Sequence, residues 1–334
     1  MIVEKQILLK NPTSQYRCVV APVAEGHKRP VWSVMIPTYN CADYLKETLS
    51  SVLAQDLGKE VMEIWVVDDH STKDDPEEVV KMVGKGRVNF YRQAKNIGHT
   101  GNFATCLNLS KGYLVHQLHG DDKVKPGFYT KMQSIFEANP QLGAAFCRHD
   151  FIDAKGALVC HSHLEQEYAG ELTNWLKRMA QVQIIQTPSM VVKRSVYEKL
   201  GGFDQRLKYC EDWEMWVRIA AHYPIGYEPE ILAQYREHNS SNTSRTRAKA
   251  ETALDLLKAI NLMYEYLDKS EREKIRKKAR ENCANILLKV AHALCFEQKN
   301  REGARIQIME ALRLYKSPAF VIKSARLYRH LILW

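Results

Sequence analysis

No uninterrupted apolar run approaches the ~18 residues that a membrane-spanning helix requires, and the mean hydropathy is −0.38. The chain is therefore not expected to cross a bilayer. Its start, Met1-Ile2-Val3-Glu4-Lys5, has neither the basic head nor the long apolar stretch of a secretory signal. The eight cysteines include no Cys-x-x-Cys pair. Scattered thiols without an export signal are expected of a reduced, cytoplasmic protein, and a zinc or disulfide framework is not. Also missing is a glycine-rich phosphate loop. Where Gly-x-Gly-x-x-Gly would follow the first strand, the chain has Pro37-Thr38-Tyr39-Asn40, which argues against a hydride-transferring Rossmann enzyme and a P-loop NTPase. Apolar residues are not scarce: 45% hydrophobic and 26% charged is a globular composition, too apolar for disorder. A length of 334 residues suggests about two domains.

Acidic charge is in relative deficit, with 39 Asp and Glu against 48 Lys and Arg, for a formal net charge of +9. The excess is local. Residues 243–334 hold 20 basic and 10 acidic residues, a net of +10, which leaves −1 for residues 1–242. A neutral body with a basic tail segment does not suggest a nucleic-acid protein, and no nucleic-acid-binding module is recognisable. The Lys274–Arg280 cluster is interleaved with Glu271, Glu273 and Glu281, as on a solvated helix face. The final stretch from Pro318 mixes Lys323, Arg326 and Arg329 with large apolar residues, a composition suited to an anionic membrane surface. Packing of the C-terminal helices in a core or a homo-oligomer is the competing expectation.

Residues 1–30 lack periodicity, carry Pro12, Pro22, Gly26 and Pro30, and are expected to form an extended leader. Strand-like runs follow at Trp32–Ile36, Val61–Val67, Arg87–Arg92, Tyr113–Leu118 and Gly143–Cys147. Helical spacing falls between them at 44–55, 76–83, 102–111 and 128–138. Such alternation predicts an α/β layer with a mostly parallel sheet flanked by helices. Beyond it, a strand near Ser189–Val192, a helix from Glu211 and strands over Ile225–Tyr235 precede an all-helical end. The expected boundary lies at 242, with a basic helical segment over 243–334.

Three polar clusters sit where strands stop: Thr38-Tyr39-Asn40, Asp68-Asp69 and Asp121-Asp122. Ligands of open α/β sheets bind at the carboxyl ends of strands. Each cluster alone is also ordinary turn chemistry; three in one chain point to a site. Without a nest of backbone amides, a pyrophosphate there needs a cation, and Asp121-Asp122 offers hard oxygen ligands for Mg or Mn. An aromatic to stack on a base and an acid to accept from base or ribose complete what a nucleotide requires.

These segments carry a resemblance. Ser33-Val34-Met35-Ile36-Pro37-Thr38-Tyr39-Asn40, Ser51-Val52-Leu53-Ala54-Gln55 and Val66-Val67-Asp68-Asp69-His70-Ser71-Thr72 resemble family 2 glycosyltransferases. Asn96-Ile97-Gly98, Gly120-Asp121-Asp122, Cys210-Glu211-Asp212-Trp213 and Tyr235-Arg236-Glu237-His238 extend the likeness in the same order, over about residues 31–240. The resemblance implies a GT-A nucleotide-sugar-binding domain at 31–242, a divalent metal, and inversion at the anomeric carbon. It places Pro37 and Tyr39 at the nucleobase, Asp69 as acceptor from the base's imide nitrogen, and Asp121 at the ribose. Asp122 falls at the main metal ligand, Asp212 at the general base, and His238 at a late histidine reaching metal or diphosphate; Asp68 is expected to be structural. One departure is His119, where many members hold an acid. At the start of a helix, Asp212 also has an ordinary first-turn role, since acids favour the positive end of the dipole. Trp213 and Trp216 are candidates for stacking on a sugar or for the core, and Arg92 and Lys95 for meeting phosphate.

The expected function is metal-dependent transfer of a sugar from a UDP- or dTDP-linked donor to a hydroxyl of a saccharide or lipid-linked saccharide. Cell-surface polysaccharide or lipopolysaccharide synthesis, cytoplasmic or peripheral at the inner face of the plasma membrane, is the expected setting. Two competitors are a catalytically silent nucleotide-sugar-binding scaffold of the same fold and a nucleotidyltransferase. The second is disfavoured because no Gly-rich basic N-terminal loop is present.

Overall fold

Seven consecutive buried residues form the first strand, β1 (Trp32–Thr38), as expected of a parallel strand covered on both faces. A computed structural model of the chain describes residues 14–26, 28–239, 241–244 and 250–332. Strand β1 pairs in parallel with β2 (Met62–Asp68) on one side and β4 (Leu114–Gln117) on the other, and β3 (Asn89–Arg92) lies parallel to β2. Between them run helices α1 (Ala42–Leu53), α2 (Pro76–Gly84) and α3 (His99–Leu109). After a short β5 (Lys123–Val124) come α4 (Phe128–Ala138) and β6 (Ala144–Ile152), then β7 (Leu158–His161) and β8 (Gly170–Glu171). Following α5 (Trp175–Met179) are β9 (Met190–Lys193), α6 (Arg194–Leu200), α7 (Glu211–Ala220) and β10 (Ile225–Arg236). The sheet order is β3-β2-β1-β4-β9-β6-β10-β5, with β7 on β6 and β8 on β10. Strand β9 is antiparallel to both its neighbours, while β6 and β10 are parallel, so the sheet is mixed but mostly parallel at its centre. Alternation along β1 sends Trp32, Val34 and Ile36 into a core with Leu45, Leu49 and Phe128 from the flanking helices.

Several boundaries differ from those expected. Strand β1 continues through Pro37 to Thr38, because one missing N–H does not break the ladder and the Pro37 carbonyl still accepts from Gly120 N at 3.0 Å. Helix α3 starts three residues early, at His99, since Gly98 (φ +80°) lets the chain turn into it. Residues 1–13 of the expected leader lie outside the described residues. Its described part opens with a short 3-10 turn at Ser14–Tyr16 and then packs in part: Val20 is buried, and the Cys18 carbonyl accepts from Gly202 N at 2.9 Å.

The chain divides into two compact units, and the division is not a single cut at 242. The first holds the described residues up to Thr173, Ile184–Arg206 and His222–Glu237, and so carries the whole sheet. The second holds Asn174–Gln183, Leu207–Ala221 and the described residues from His238. Its C-terminal helices are α8 (Thr252–Met263), α9 (Arg272–Phe296), α10 (Arg301–Leu314) and α11 (Pro318–Ile332). The apolar stripe of α9 (Ile275, Ala279, Cys283, Leu287) packs with Ala304, Ile308, Ala311 and Leu314 of α10, small residues on both sides allowing close approach. Leu333 and Trp334 of the expected final helix lie outside the described residues. Among the described residues no helix is long and apolar enough to cross a membrane.

Candidate active site

The ends of three strands are tied together by main-chain hydrogen bonds. Asp69 N donates to the Thr38 carbonyl at 2.9 Å and Gly120 N to the Pro37 carbonyl at 3.0 Å, so the β2 and β4 ends both dock on the end of β1. Gly120 eases that approach: a Cβ would sit 3.0 Å from Thr38 Oγ1 and 3.1 Å from Cys41 Sγ, so both side chains would have to shift. Pro37, Asp69, Asp121 and Asp122 are thereby brought to one sheet edge, with Tyr39 following half-buried in the loop.

The loop after β2 is built around two anchors. Asn40, in the left-handed region at φ +51°, accepts from Thr72 N and Lys73 N at 2.9 and 3.0 Å through its side-chain carbonyl. Asp68, fully buried, accepts from Ser71 N (3.1 Å), Ser71 Oγ (2.5 Å) and Arg92 Nε (2.8 Å). Its carboxylate is committed to structure, and Arg92 is committed to Asp68 and Asp75. Asp69 is 3% exposed, and its Oδ1 accepts from Ile97 N at 2.8 Å. Its main-chain carbonyl accepts from Asn96 Nδ2 at 3.1 Å, so the Asn96-Ile97-Gly98 motif is the cradle of this acid. Burial pushes the Asp69 carboxyl up and the Ile97 and Gly98 amides draw it back.

Asp122 is 1% exposed. Its Oδ1 accepts from Arg236 N at 2.8 Å, whereas Oδ2 has no hydrogen-bond partner among the described residues and lies 3.8 Å from His119 Nδ1. Burial and the neighbouring Asp121 push its carboxyl well above the usual range, against the pull of Arg236. One ligand atom each from His119, Asp121 and Asp122 lies within 4.8 Å of the other two. A buried, half-unsatisfied carboxylate beside a second acid and an imidazole is costly on its own and fits a cation, which would satisfy Oδ2 and offset both burial and repulsion. His119 stacks on Phe103 at 5.2 Å between ring centroids, which fixes its plane. The acidic pair is held from behind by Arg236: Nε donates to the Asp121 carbonyl at 2.9 Å, a terminal nitrogen to Glu47 at 2.9 Å, and the guanidinium lies 4.6 Å over the Tyr44 ring. Beside them burial raises the Cys41 thiol to about 12, with Asp121 acting the same way, so it stays neutral.

The remaining expected site residues belong to the second unit. Asp212 lies in the first turn of α7 and is half-buried. Gln183 Nε2 donates to its Oδ2 and Trp213 N to its Oδ1, each at 2.6 Å. Trp213 and Trp216 are 0% and 1% exposed, and Trp213 Nε1 donates to the Met179 carbonyl; both are core residues and neither is a sugar platform. His238, half-buried, accepts from Ser244 Oγ at 2.9 Å through its main-chain carbonyl. It is not one of the three clustered ligand groups. Gln183 and the buttressing role of Arg236 were not legible in sequence. Arg236 falls within the Tyr235-Arg236-Glu237-His238 segment, but nothing there points to Asp122, 114 residues away, and Gln183 falls in no motif.

A family model described as Glycosyl transferase family 2 matches residues 33–201, half of the chain. The chain belongs to glycosyl transferase family 2. Family membership makes it a glycosyltransferase, the enzyme class its strand-end motifs suggested. A curated relative, an uncharacterized glycosyltransferase of Rickettsia typhi, is 26% identical over 216 residues, 64% of this chain and 66% of that protein. Chondroitin synthase of Pasteurella multocida is 22% identical over 194 residues, 58% of this chain but only 19% of the synthase. Among solved structures, S. aureus TarS 1–349 in complex with UDP-GlcNAc superposes with a TM-score of 0.64 at 16% identity, covering 90% of each chain. A mannosyltransferase from Pyrobaculum calidifontis in complex with GDP-Man and Mn2+ gives 0.54 at 19% identity, over 98% and 93% of the two chains. The sheet and its helices form the GT-A fold, with helices following it.

Proposed function

We propose that this glycosyltransferase moves a sugar from a nucleotide-diphosphate donor to an acceptor hydroxyl with inversion at the anomeric carbon, using a divalent cation, Mn or Mg. The observation that carries the proposal is Asp122, a buried carboxylate with one oxygen lacking a hydrogen-bond partner among the described residues, held beside Asp121 and His119 at the strand ends. Asp122 and His119 would hold the cation with Asp121 adjacent, and His238 is the family-derived candidate for a further ligand. The bound cation supplies charge neutralisation of the departing diphosphate. Pro37 and Tyr39 would border the nucleobase, and Asp69 would accept from its imide N–H. Its Oδ1 already accepts from Ile97 N, which orients the carboxylate for that bond. One acid and one aromatic suit uracil or thymine, which share that edge; TarS with UDP-GlcNAc supports a uridine donor, the mannosyltransferase with GDP-Man a guanosine one.

Asp212 would take the acceptor hydroxyl's proton as the bond to C1 forms. Gln183 Nε2 and Trp213 N help fix the plane of its carboxylate. A single displacement by one base inverts, whereas a double displacement would need a covalent intermediate. Relatives named as chondroitin and hyaluronan synthases support a saccharide acceptor and a role in polysaccharide synthesis. Helix α11 supports a cytoplasmic, peripheral placement on an anionic inner leaflet: it exposes Val321 and Ile322 together with Lys323, Arg326 and Arg329 and contains no acid.

Two substitutions test the roles. Asp212→Asn should bind donor and metal normally in calorimetric titration while transfer falls about 100- to 10,000-fold; comparable transfer removes Asp212 as the base. Asp122→Ala should abolish metal-dependent donor binding, and an unchanged titration removes it as the metal ligand. Wild-type protein that binds donor yet transfers nothing to any saccharide would be the silent scaffold.

A further inference from the structure

One face of α9 carries Glu273, Arg276, Lys277 and Arg280, at helical positions i, i+3, i+4 and i+7. Together with Arg313 at the end of α10 and Lys316 after it, they line a pocket of about 460 Å³. Five of these six side chains are cationic. The acid is already engaged, since Glu273 accepts from Tyr264 Oη at 2.8 Å and pairs with Arg276 at 3.5 Å. Arg313 pairs with Glu310. That leaves Lys277, Arg280 and Lys316, none of which has an ion pair among the described residues, around a single hollow. Capping of α10 explains one of them, as Arg280 Nε donates to the Leu314 carbonyl at 2.8 Å. It does not explain two further lysines converging on the same space.

We propose that this pocket binds a phosphate ester as a dianionic group. Three uncompensated cations repel one another when the pocket is empty, and that repulsion becomes attraction when an anion of charge near two enters. Arg280 supplies planar donors and the two lysines point charges, the usual complement for phosphate oxygens. The pocket's volume lies within the roughly 300–1,000 Å³ of small-ligand sites, and its residues line a half-open hollow rather than a stripe along a duplex. Tyr315 on the wall offers an apolar ring to whatever the phosphate is esterified to. This site lies wholly within the helical unit and uses none of the residues assigned to sugar transfer.

The full chain would be titrated with glycerol 3-phosphate by calorimetry and, separately, sedimented with vesicles of phosphatidic acid or of phosphatidylcholine. Saturable binding of glycerol 3-phosphate below about 10 mM, weakened at least tenfold by Lys277→Ala/Lys316→Ala, supports the site and makes its source a soluble ester. Sedimentation with phosphatidic acid alone, lost in the same variant, supports it with a lipid headgroup as source. Lys277→Arg/Lys316→Arg should retain binding, and Lys274→Ala/Lys278→Ala, on the same helix but outside the pocket, should leave it unchanged. Binding equal in the wild type and the Lys277/Lys316 alanine variant, or no binding in either assay, overturns the proposal.

Discussion

His149 is 1% exposed, and neither ring nitrogen has a hydrogen-bond partner among the described residues. Burial lowers its pKa from 6.5 to about 4, despite the nearby Asp150. His116 is lowered to about 4 for the same reason, but its ring is satisfied by the Pro188 carbonyl and the Tyr129 hydroxyl. For a base held neutral by the fold, stability is complete above the unfolded pKa. Below 6.5 the unfolded chain gains protons that the folded chain refuses, and the loss grows until about pH 4. By pH 5 each histidine should cost on the order of 2 kcal/mol. His149→Leu deletes one such group together with two unsatisfied nitrogens, so its melting temperature should fall by about 4 °C less than wild type between pH 7 and 5. Parallel curves for the two proteins would refute this account. The same stretch shows why residues were unevenly legible. Asp69, Asp121 and Asp122 stand where apolar runs stop, which marks strand ends. By contrast, Arg148-His149-Asp150 interrupts the apolar run of β6 and hides its continuation to Ile152.

At the level of elements, the start of α7 depends on a residue far away in sequence. The Asp255 carboxylate on α8 accepts from Lys208 N, Tyr209 N and Cys210 N at 2.8 to 3.2 Å, amides that α7 itself cannot satisfy. Burial pushes this carboxyl up, and the three amides draw it down. The Glu211-Asp212-Trp213 motif announced the helix, but nothing local announced its cap, because the partner lies more than 40 residues on. The short β5, β7 and β8 were illegible for a related reason: two to four residues carry too little periodicity, and neighbours supply their pairing. Asp255→Ala should cost about 2–3 kcal/mol in urea unfolding, the range for hydrogen bonds to a charged, buried acceptor. Asp268→Ala, which removes a carboxylate holding only the exposed Ser270 turn, should cost about 1 kcal/mol or less. Equal costs would mean that Asp255 is not the anchor of α7.

Across the whole molecule, charge is the property that sequence located and structure made specific. Residues 1–242 carry a net −1 and residues 243–334 a net +10, and the strand-end site is itself acidic, which suits the cation proposed for it. The excess is not spread evenly over the helical unit. Part of it gathers in the pocket beside α9, and part lies on the exposed face of α11 with Val321 (43% exposed) and Ile322 (53%). Each basic side chain near an anionic bilayer contributes about 1 kcal/mol, so Lys323, Arg326 and Arg329 together would suffice for the weak, reversible docking proposed above. That attraction is screened beyond the Debye length of about 10 Å at 0.1 M salt. The protein should therefore float with phosphatidylglycerol vesicles at low ionic strength, release as salt rises, and ignore phosphatidylcholine. Val321→Ser/Ile322→Ser removes the apolar half of the face and should weaken flotation at least tenfold, since each buried CH2 contributes about 0.8 kcal/mol and several are removed. Unchanged flotation of that variant would rule out docking through α11. A fall in sedimenting mass without a change in flotation would make the same face a contact between copies of the chain.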